Sequence, residues 1–168
     1  ALLQKRKQLY LDRGNLEAAM MDQELIVSLD SSNHELLFEL AEMQYQIAKN
    51  GRPNYYKASL KNLTKDLEAQ EAHTASLLLR GELHYLYRKH EESLKDLNNV
   101  LRVDPYEAKA YYFKGLNFKE LGNLEKAISQ FQTTVEQDPY HLDAYEQLAF
   151  VYSYLGNPIA ELYFDNAL

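Results

Sequence analysis

The fold of this chain is decided by residues 108–141, which read AKAYYFKGLNFKELGNLEKAISQFQTTVEQDPYH. Within them, apolar side chains recur at intervals of three and four residues, as at Ile128, Phe131 and Val135. Such spacing is typical of a helix that buries one face. Gly122, in the central Leu-Gly-Asn triplet, can supply the positive φ with which many helices end. The stretch therefore predicts two helices separated by a short turn.

The same pattern recurs along the chain at an interval of 34 residues. Asp104-Pro105-Tyr106 reappears as Asp138-Pro139-Tyr140, and Gly81, Gly115 and Ala149 follow one another at that interval. A fixed period of this length is the sequence signature of a stacked helical repeat. Alternation of apolar and polar residues, which would indicate strands, is absent over any useful length. We therefore predict an all-α chain in which the two prolines start the helices that follow them.

The period and its residues resemble the tetratricopeptide repeat, a helix–turn–helix unit with the pattern W-x2-L-G-x2-Y…A-x3-F…P. Residues 108–141 carry Tyr111 at the Trp place and Lys114 at the Leu place. The remaining places are filled by Gly115, Phe118, Ala127, Phe131 and Pro139. The resemblance implies an α-α superhelix, a right-handed solenoid of about five helix pairs, whose stability comes from stacking between neighbouring pairs.

The resemblance covers essentially the whole chain as a single repeat domain. Its predicted repeat units are residues 1–33, 34–73, 74–107, 108–141 and 142–168. The second unit is longer than the period, and we expect the excess to form a longer loop at residues 49–54. In the fifth unit Ala160 and Phe164 lie one residue early, and the unit breaks off at Leu168.

Composition argues against several classes of function. Lys and Arg number 18 against 25 Asp and Glu, so the chain carries a formal charge of −7, which disfavours binding to nucleic-acid phosphates. No cysteine is present, which excludes disulfides, thiolate metal sites and thiol nucleophiles. No apolar run approaches the ~20 residues that cross a bilayer. We therefore expect a soluble chain with no nucleic-acid partner and no membrane span, and a likeness to short bacterial arrays suggests the bacterial cytoplasm or cell envelope.

Catalytic signals are equally absent from the sequence. It contains no nucleophile elbow, no phosphate-binding glycine loop, no metalloprotease motif and no calcium-loop pattern. The five histidines show no spacing that marks a metal site. We expect a chain that is not an enzyme and that holds neither a metal nor a cofactor.

A concave groove is what the family resemblance implies as the functional surface. In tetratricopeptide arrays the first helices of successive units line such a groove, which takes an extended peptide or a partner helix. The peptide-binding candidates carried over to this chain are Phe38, Glu42, Tyr45, Leu78, Glu82, Tyr85, Lys109, Tyr112, Phe113, Leu116, Phe150 and Tyr154. Their aromatic and acidic character favours an apolar or basic segment of a protein or peptide partner. For each ring, burial in the core is the alternative.

The most specific form of the groove hypothesis is a row of aromatic side chains within this set. Tyr85, Tyr112, Phe113 and Phe150 are expected to line up across neighbouring repeat units. The Lys, Asn and Arg set with which chaperone-binding members of the family hold a C-terminal carboxylate is missing at the corresponding places. Recognition of a chaperone tail is therefore not expected.

Two other functions remain open from the sequence. The last helix carries Tyr163, Phe164 and Leu168 in an apolar pattern, and no polar capping helix follows it, although solenoids normally need one for solubility. Homo-oligomerisation through this C-terminal face, as a self-assembly module, is one alternative. A regulatory domain of a larger protein is the other.

Overall fold

Residues 1–167 are described by a computed structural model, and they form ten α-helices with no strand among them. The helices are α1 Leu2–Asp12, α2 Leu16–Leu29, α3 His34–Lys49, α4 Asn54–Ala69, α5 Thr74–Leu86, α6 His90–Val103, α7 Ala108–Glu120, α8 Leu124–Gln137, α9 Leu142–Tyr154 and α10 Ala160–Asn166. The prediction of an all-α chain is confirmed. Leu168, which the sequence places in the last apolar pattern, lies outside the described residues.

The helices group into two compact units, an N-terminal unit of Ala1–Leu83 and a C-terminal unit that begins at His84. In the N-terminal unit, α1 packs on α2, α2 on α3 and α3 on α4. In the C-terminal unit, the same holds for each successive pair from α6 to α10. Packing of each helix on the next is what stacked helix pairs produce.

The core of the N-terminal unit consists of two apolar clusters. One joins α2 to α3 through Ala19, Met20, Leu40, Met43 and Ile47. The other joins α3, α4 and α5 through Ala41, Tyr45, Leu63, Leu79 and Leu83. Since each large apolar side chain contributes about 1.5–3 kcal/mol on burial, contacts between helices, and not any single helix, hold the unit together.

A buried polar network ties α1 to the two helices that follow it. The ammonium of Lys7 donates to Gln23 Oε1 at 2.9 Å and also pairs with the Glu39 carboxylate. The Gln23 amide donates in turn to the Leu36 carbonyl at 2.9 Å. Because unpaired polar groups are costly in an interior, this network fixes the positions of α1, α2 and α3 relative to each other.

An ion pair between Arg6 of α1 and Asp22 of α2 also joins these two helices. Arg6 Nε lies 2.9 Å and 3.2 Å from the two carboxylate oxygens of Asp22, and a second guanidinium nitrogen donates to the same group. The Asp22 side chain is almost fully buried. Hydrogen bonding from Arg6 is the main cause that lowers the pKa of Asp22 below its usual value.

The helix ends show why glycine recurs in the turns. Gly122 and Gly156 have φ values of +75° and +67°, as predicted for residues that end a helix. Arg88, 34 residues before Gly122, has a φ of +58° and is the non-glycine residue with positive φ in residues 1–167. Its N–H donates to the Tyr85 carbonyl at 2.9 Å, so the turn keeps its shape without a glycine.

The prediction for the prolines is wrong. Helix α7 begins at Ala108 and α9 at Leu142, so Pro105 and Pro139 lie in the preceding turns, not at the helix starts. The reason is the aspartate before each proline. The Asp104 carboxylate accepts from the Tyr106 N–H at 3.0 Å, and an equivalent bond of 3.1 Å follows Asp138. This side-chain turn holds the proline outside the helix.

A close approach between α7 and α8 explains Gly115. A Cβ atom at that position would lie 2.5, 2.6 and 2.9 Å from three ring carbons of Phe131. Phe131 is fully buried, and the Tyr112 ring packs 5.9 Å from it between centroids. The ring therefore has little room to move away from a larger residue.

We expect Gly115→Ala to destabilise the chain, because overpacking a core costs about 1–3 kcal/mol and outweighs the ~1 kcal/mol that alanine gains in helix propensity. Chemical denaturation followed by circular dichroism measures the change. Adding Phe131→Leu should recover part of the loss, since leucine occupies the equivalent place at Leu97. Ser129→Ala, exposed on α8, is the control and should change stability by under about 0.5 kcal/mol. A stable Gly115→Ala variant would refute the packing explanation.

The Arg6–Asp22 pair predicts a specific loss of stability in acid. Because the pKa of Asp22 is lowered in the folded chain, its stabilisation is complete above the unfolded carboxyl pKa of about 3.9 and is lost as the pH falls through the lower folded pKa. Asp22→Asn should therefore lower Tm at pH 7, and the loss of Tm should be smaller at pH 3. Glu24→Gln, exposed on the same helix, should behave like the wild type. Equal losses for Asp22→Asn at both pH values would show that the ion pair is not responsible.

Candidate functional site

Most of the peptide-binding candidates in the N-terminal unit pack against other side chains and are not exposed. Tyr45 is buried in the second apolar cluster, with its ring centroid 5.8 Å from that of Tyr56. Phe38 is half-buried, and its ring meets the His73 ring edge-on at 5.1 Å. Glu42 is exposed on α3. The α3 surface of this unit therefore presents an acidic side chain but little aromatic area.

The two candidates on α5 follow the same trend. Leu78 is partly buried and Glu82 is buried. Neither presents a freely exposed side chain of the kind that the groove hypothesis needs. Any binding surface on α5 is thus smaller than the sequence pattern suggests.

In the C-terminal unit, three members of the predicted aromatic row come together. The Phe113 ring lies edge-on to Tyr85 at 5.8 Å and to Tyr112 at 5.5 Å. Phe113 itself is buried, as is the neighbouring candidate Leu116. The row is therefore largely a packing element, with Tyr85 and Tyr112 each half-buried at its sides. Burial is the main cause that raises the pKa of Tyr85, and the Glu120 carboxylate adds to it, so this phenol stays a hydrogen-bond donor.

Phe150, the fourth member, has a different partner. Its ring meets Phe164 of α10 edge-on at 5.6 Å and is 50% exposed. Tyr154, one turn further along α9, is 82% exposed. The sequence pattern placed Phe164 in the C-terminal face for self-association and not among the peptide-binding candidates.

A polar bridge links the first helices of the last two helix pairs. The Lys119 ammonium donates to the Gln147 amide oxygen, which joins α7 to α9. Lys109 is exposed on α7, and its ammonium lies 5.7 Å from the Phe113 centroid. Glu146 is exposed on α9, one turn before Phe150. The adjoining surfaces of α7 and α9 thus combine exposed rings with charges of both signs.

A serine, a histidine and an aspartate also meet in the N-terminal unit, between α4 and α5. Ser76 Oγ donates to Asp66 Oδ2, and His73 Nδ1 lies 2.7 Å from the same oxygen. Both Asp66 and Ser76 are fully buried, and a buried hydroxyl cannot reach a substrate. This cluster therefore joins two helices and is not a catalytic triad.

The described residues hold neither a metal-binding cluster nor a membrane-spanning helix. Residues 1–167 contain no group of three or more His, Asp or Glu side chains placed to hold a metal ion. None of their helices combines the length and apolar character needed to cross a membrane.

Comparisons with known proteins agree on the repeat type. A model of the tetratricopeptide repeat matches residues 108–141. Tetratricopeptide repeat protein 13 of Homo sapiens is 28% identical over 142 residues, which cover 84% of this chain. The same alignment covers 16% of the human protein, so the chain spans about a sixth of that relative's length.

Solved structures share the fold at low sequence identity. MamA 41-end from Desulfovibrio magneticus RS-1 superposes with a TM-score of 0.85 and 22% identity, covering 99% of this chain and 91% of that one. YrrB, described as a TPR protein with an unusual peptide-binding site, gives a TM-score of 0.71 and 23% identity over 96% of this chain and 80% of its own. These findings confirm the predicted resemblance to the tetratricopeptide repeat and the helical-repeat fold: residues 108–141 match a tetratricopeptide repeat, set in a chain with the fold of tetratricopeptide-repeat proteins.

Proposed function

We propose that this chain is a non-catalytic protein-interaction scaffold, and that its C-terminal unit binds a peptide or a partner helix on one surface. This surface, the α7–α9 face, consists of Lys109, Tyr112, Glu146, Phe150 and Tyr154. The observation that carries the proposal is the exposure of Phe150 and Tyr154 on α9, together with the half-buried ring of Tyr112 on α7. The peptide-binding site named for YrrB supports the same kind of partner.

The free energy of association determines how many side chains a partner must contact. Association costs at least ~4 kcal/mol in lost freedom, and micromolar affinity needs a net of about −8 kcal/mol. At ~1.5–3 kcal/mol for each large apolar side chain that becomes buried, two rings on α9 are not enough. A partner must therefore also contact α7, on which Lys109 is exposed and Tyr112 is half-buried.

The charges on the face define the partner's chemistry. Glu146 is exposed one turn from Phe150, whereas the Lys109 ammonium lies over the Phe113 ring, and the whole chain carries a charge of −7. A lysine or arginine in the partner would pair with Glu146 while apolar side chains contact the rings. We therefore propose a segment with apolar anchors and a basic residue, in agreement with the expectation from the sequence.

Phe150→Ala combined with Tyr154→Ala should weaken binding at least 10-fold, because the two exposed rings supply most of the accessible apolar area on α9. The ligand is a peptide selected from a random library against the wild-type chain, and fluorescence anisotropy gives its affinity. Exposed rings are preferable to Phe113, whose replacement by alanine would also cost about 3–5 kcal/mol of stability.

The matched control is Tyr106→Ala combined with Tyr140→Ala. Both tyrosines are strongly exposed, lie in the turns before α7 and α9, and are not among the residues of the α7–α9 face. Their removal should leave affinity within twofold. If the control weakens binding as much as the Phe150 and Tyr154 variant, the partner binds elsewhere and the proposed face is wrong.

A further inference from the structure

Lys114 of α7 lies at a place of the repeat that holds a leucine in other first helices. Leu40 of α3 and Leu148 of α9 occupy the equivalent places, and both are buried. Lys114 is partly buried, and its ammonium lies 6.0 Å from the centroid of the Tyr111 ring, which is at the limit of a cation–π contact. A basic side chain therefore lies in a position that the repeat otherwise uses for packing.

The first helix pair shows how a cation at this place can be stabilised. Arg6 occupies the equivalent place on α1, and its Nε donates to the Asp22 carboxylate of α2 at 2.9 Å. Asp22 follows Arg6 by 16 residues, and the residue that follows Lys114 at the same interval is Gln130. In the pair of α7 and α8, a neutral amide thus stands where the first pair has the counter-ion.

No other acid compensates for this replacement. Within residues 1–167, no carboxylate pairs with the Lys114 ammonium. The Gln130 amide does not take over either, since its Oε1 atom is buried and accepts no hydrogen bond. Burial therefore lowers the pKa of the Lys114 ammonium below its usual value, and no charged group raises it again.

These surroundings make the Lys114 amine a better nucleophile than that of an exposed lysine. Only the neutral form of the amine can attack an electrophile, and a lowered pKa increases the neutral fraction near pH 7. The side chain is only partly buried, so a small reagent can reach Nζ. The helix pair also has neighbours on both sides, since α6 packs on α7 and α9 on α8.

We propose that Lys114 is a modification site, at which an activated acyl donor, a thioester or an acyl phosphate, transfers its acyl group to Nζ. The Nζ lone pair attacks the acyl carbon and forms an N–C bond. The C–S or C–O bond breaks, the thiolate or phosphate leaves with its electron pair, and the amine proton passes to water. The site goes beyond the proposed function, because Lys114 lies on the other side of α7 from Tyr112, about 200° around the helix.

The acylated side chain suits this place better than the ammonium does. An amide carries no charge, so its burial costs less free energy than burial of an ammonium. Its N–H is a neutral donor, and Gln130 Oε1 is a buried acceptor without a donor, at the place where Asp22 accepts from Arg6. Acylation therefore supplies, between neutral groups, the hydrogen bond that the first helix pair makes between charged ones.

Site-resolved mass spectrometry of the full chain during limited acetylation tests the proposal. Acetyl phosphate and acetyl-coenzyme A, used separately at neutral pH, distinguish the two kinds of donor. With at least one of them, Lys114 should be acetylated about fivefold faster or more than Lys61 and Lys95, which are exposed on α4 and α6. In concentrated urea the three lysines should react at the same rate, because the folded surroundings of Lys114 are lost.

Gln130→Asp should slow acetylation of Lys114 to the rate of the exposed lysines, because it restores a carboxylate where the first pair has Asp22. Gln137→Asp, which adds the same charge at the exposed end of α8, is the matched control and should leave the rate unchanged. Circular dichroism checks that both variants fold.

The proposal is overturned if Lys114 reacts no faster than the exposed lysines with either donor. It is also overturned if its advantage survives Gln130→Asp, or if the control removes that advantage equally. Lys114→Arg should bind the selected peptide within twofold of the wild type, so failure of acylation and failure of peptide binding are separate results.

Discussion

The contact between Phe131 and the backbone of Gly115 is the constraint on which the rest of the C-terminal unit depends. A ring can be fully buried there because the facing helix has no Cβ atom at the point of approach. The close pairing of α7 and α8 that results sets where Tyr112 lies, since its ring packs on Phe131. Tyr112 in turn contacts the His141 ring at 4.6 Å, just before α9. Packing inside one pair thereby positions the surface that the next pair offers.

Polar contacts add specificity to this apolar packing. Lys7, Gln23 and Asn117 are buried and each bonds to a neighbouring helix. Asp66 occupies the place that Val100 and Thr134 fill in later helices, and His73 and Ser76 satisfy one of its oxygens. A helix that slid by one residue would leave such groups buried without partners, at a cost of about 1–3 kcal/mol each. These bonds therefore define one relative position of the helices, which apolar area alone does not.

The fold could be predicted from the sequence, and the surface only in part. Helical spacing and the 34-residue period identify the helices. The structure agrees with that period, since Leu63, Leu97 and Phe131 occupy equivalent places and are equally buried. The division into five repeat units and the individual groove residues stay predictions. The position of a residue in the repeat predicts the direction in which its side chain points. It does not predict how much of that side chain the neighbouring helices cover. Leu116 is buried for that reason, while Phe150, at the equivalent place 34 residues later on α9, is exposed.

The positive φ of Arg88 has a consequence for motion. A left-handed backbone conformation costs a non-glycine residue about 1–2 kcal/mol. The exposed side chain of Arg88 forms an ion pair with Glu120 at 3.7 Å, but a surface ion pair of this kind offsets little of that cost. The turn between α5 and α6 therefore contains a strained residue, whereas the turns at Gly14, Gly122 and Gly156 have glycine at the positive φ and carry no such strain. Transient opening of a helical stack begins where the least free energy is lost. In this chain the strain at Arg88 lowers that loss for the turn between α5 and α6, relative to the turns that have glycine at the positive φ.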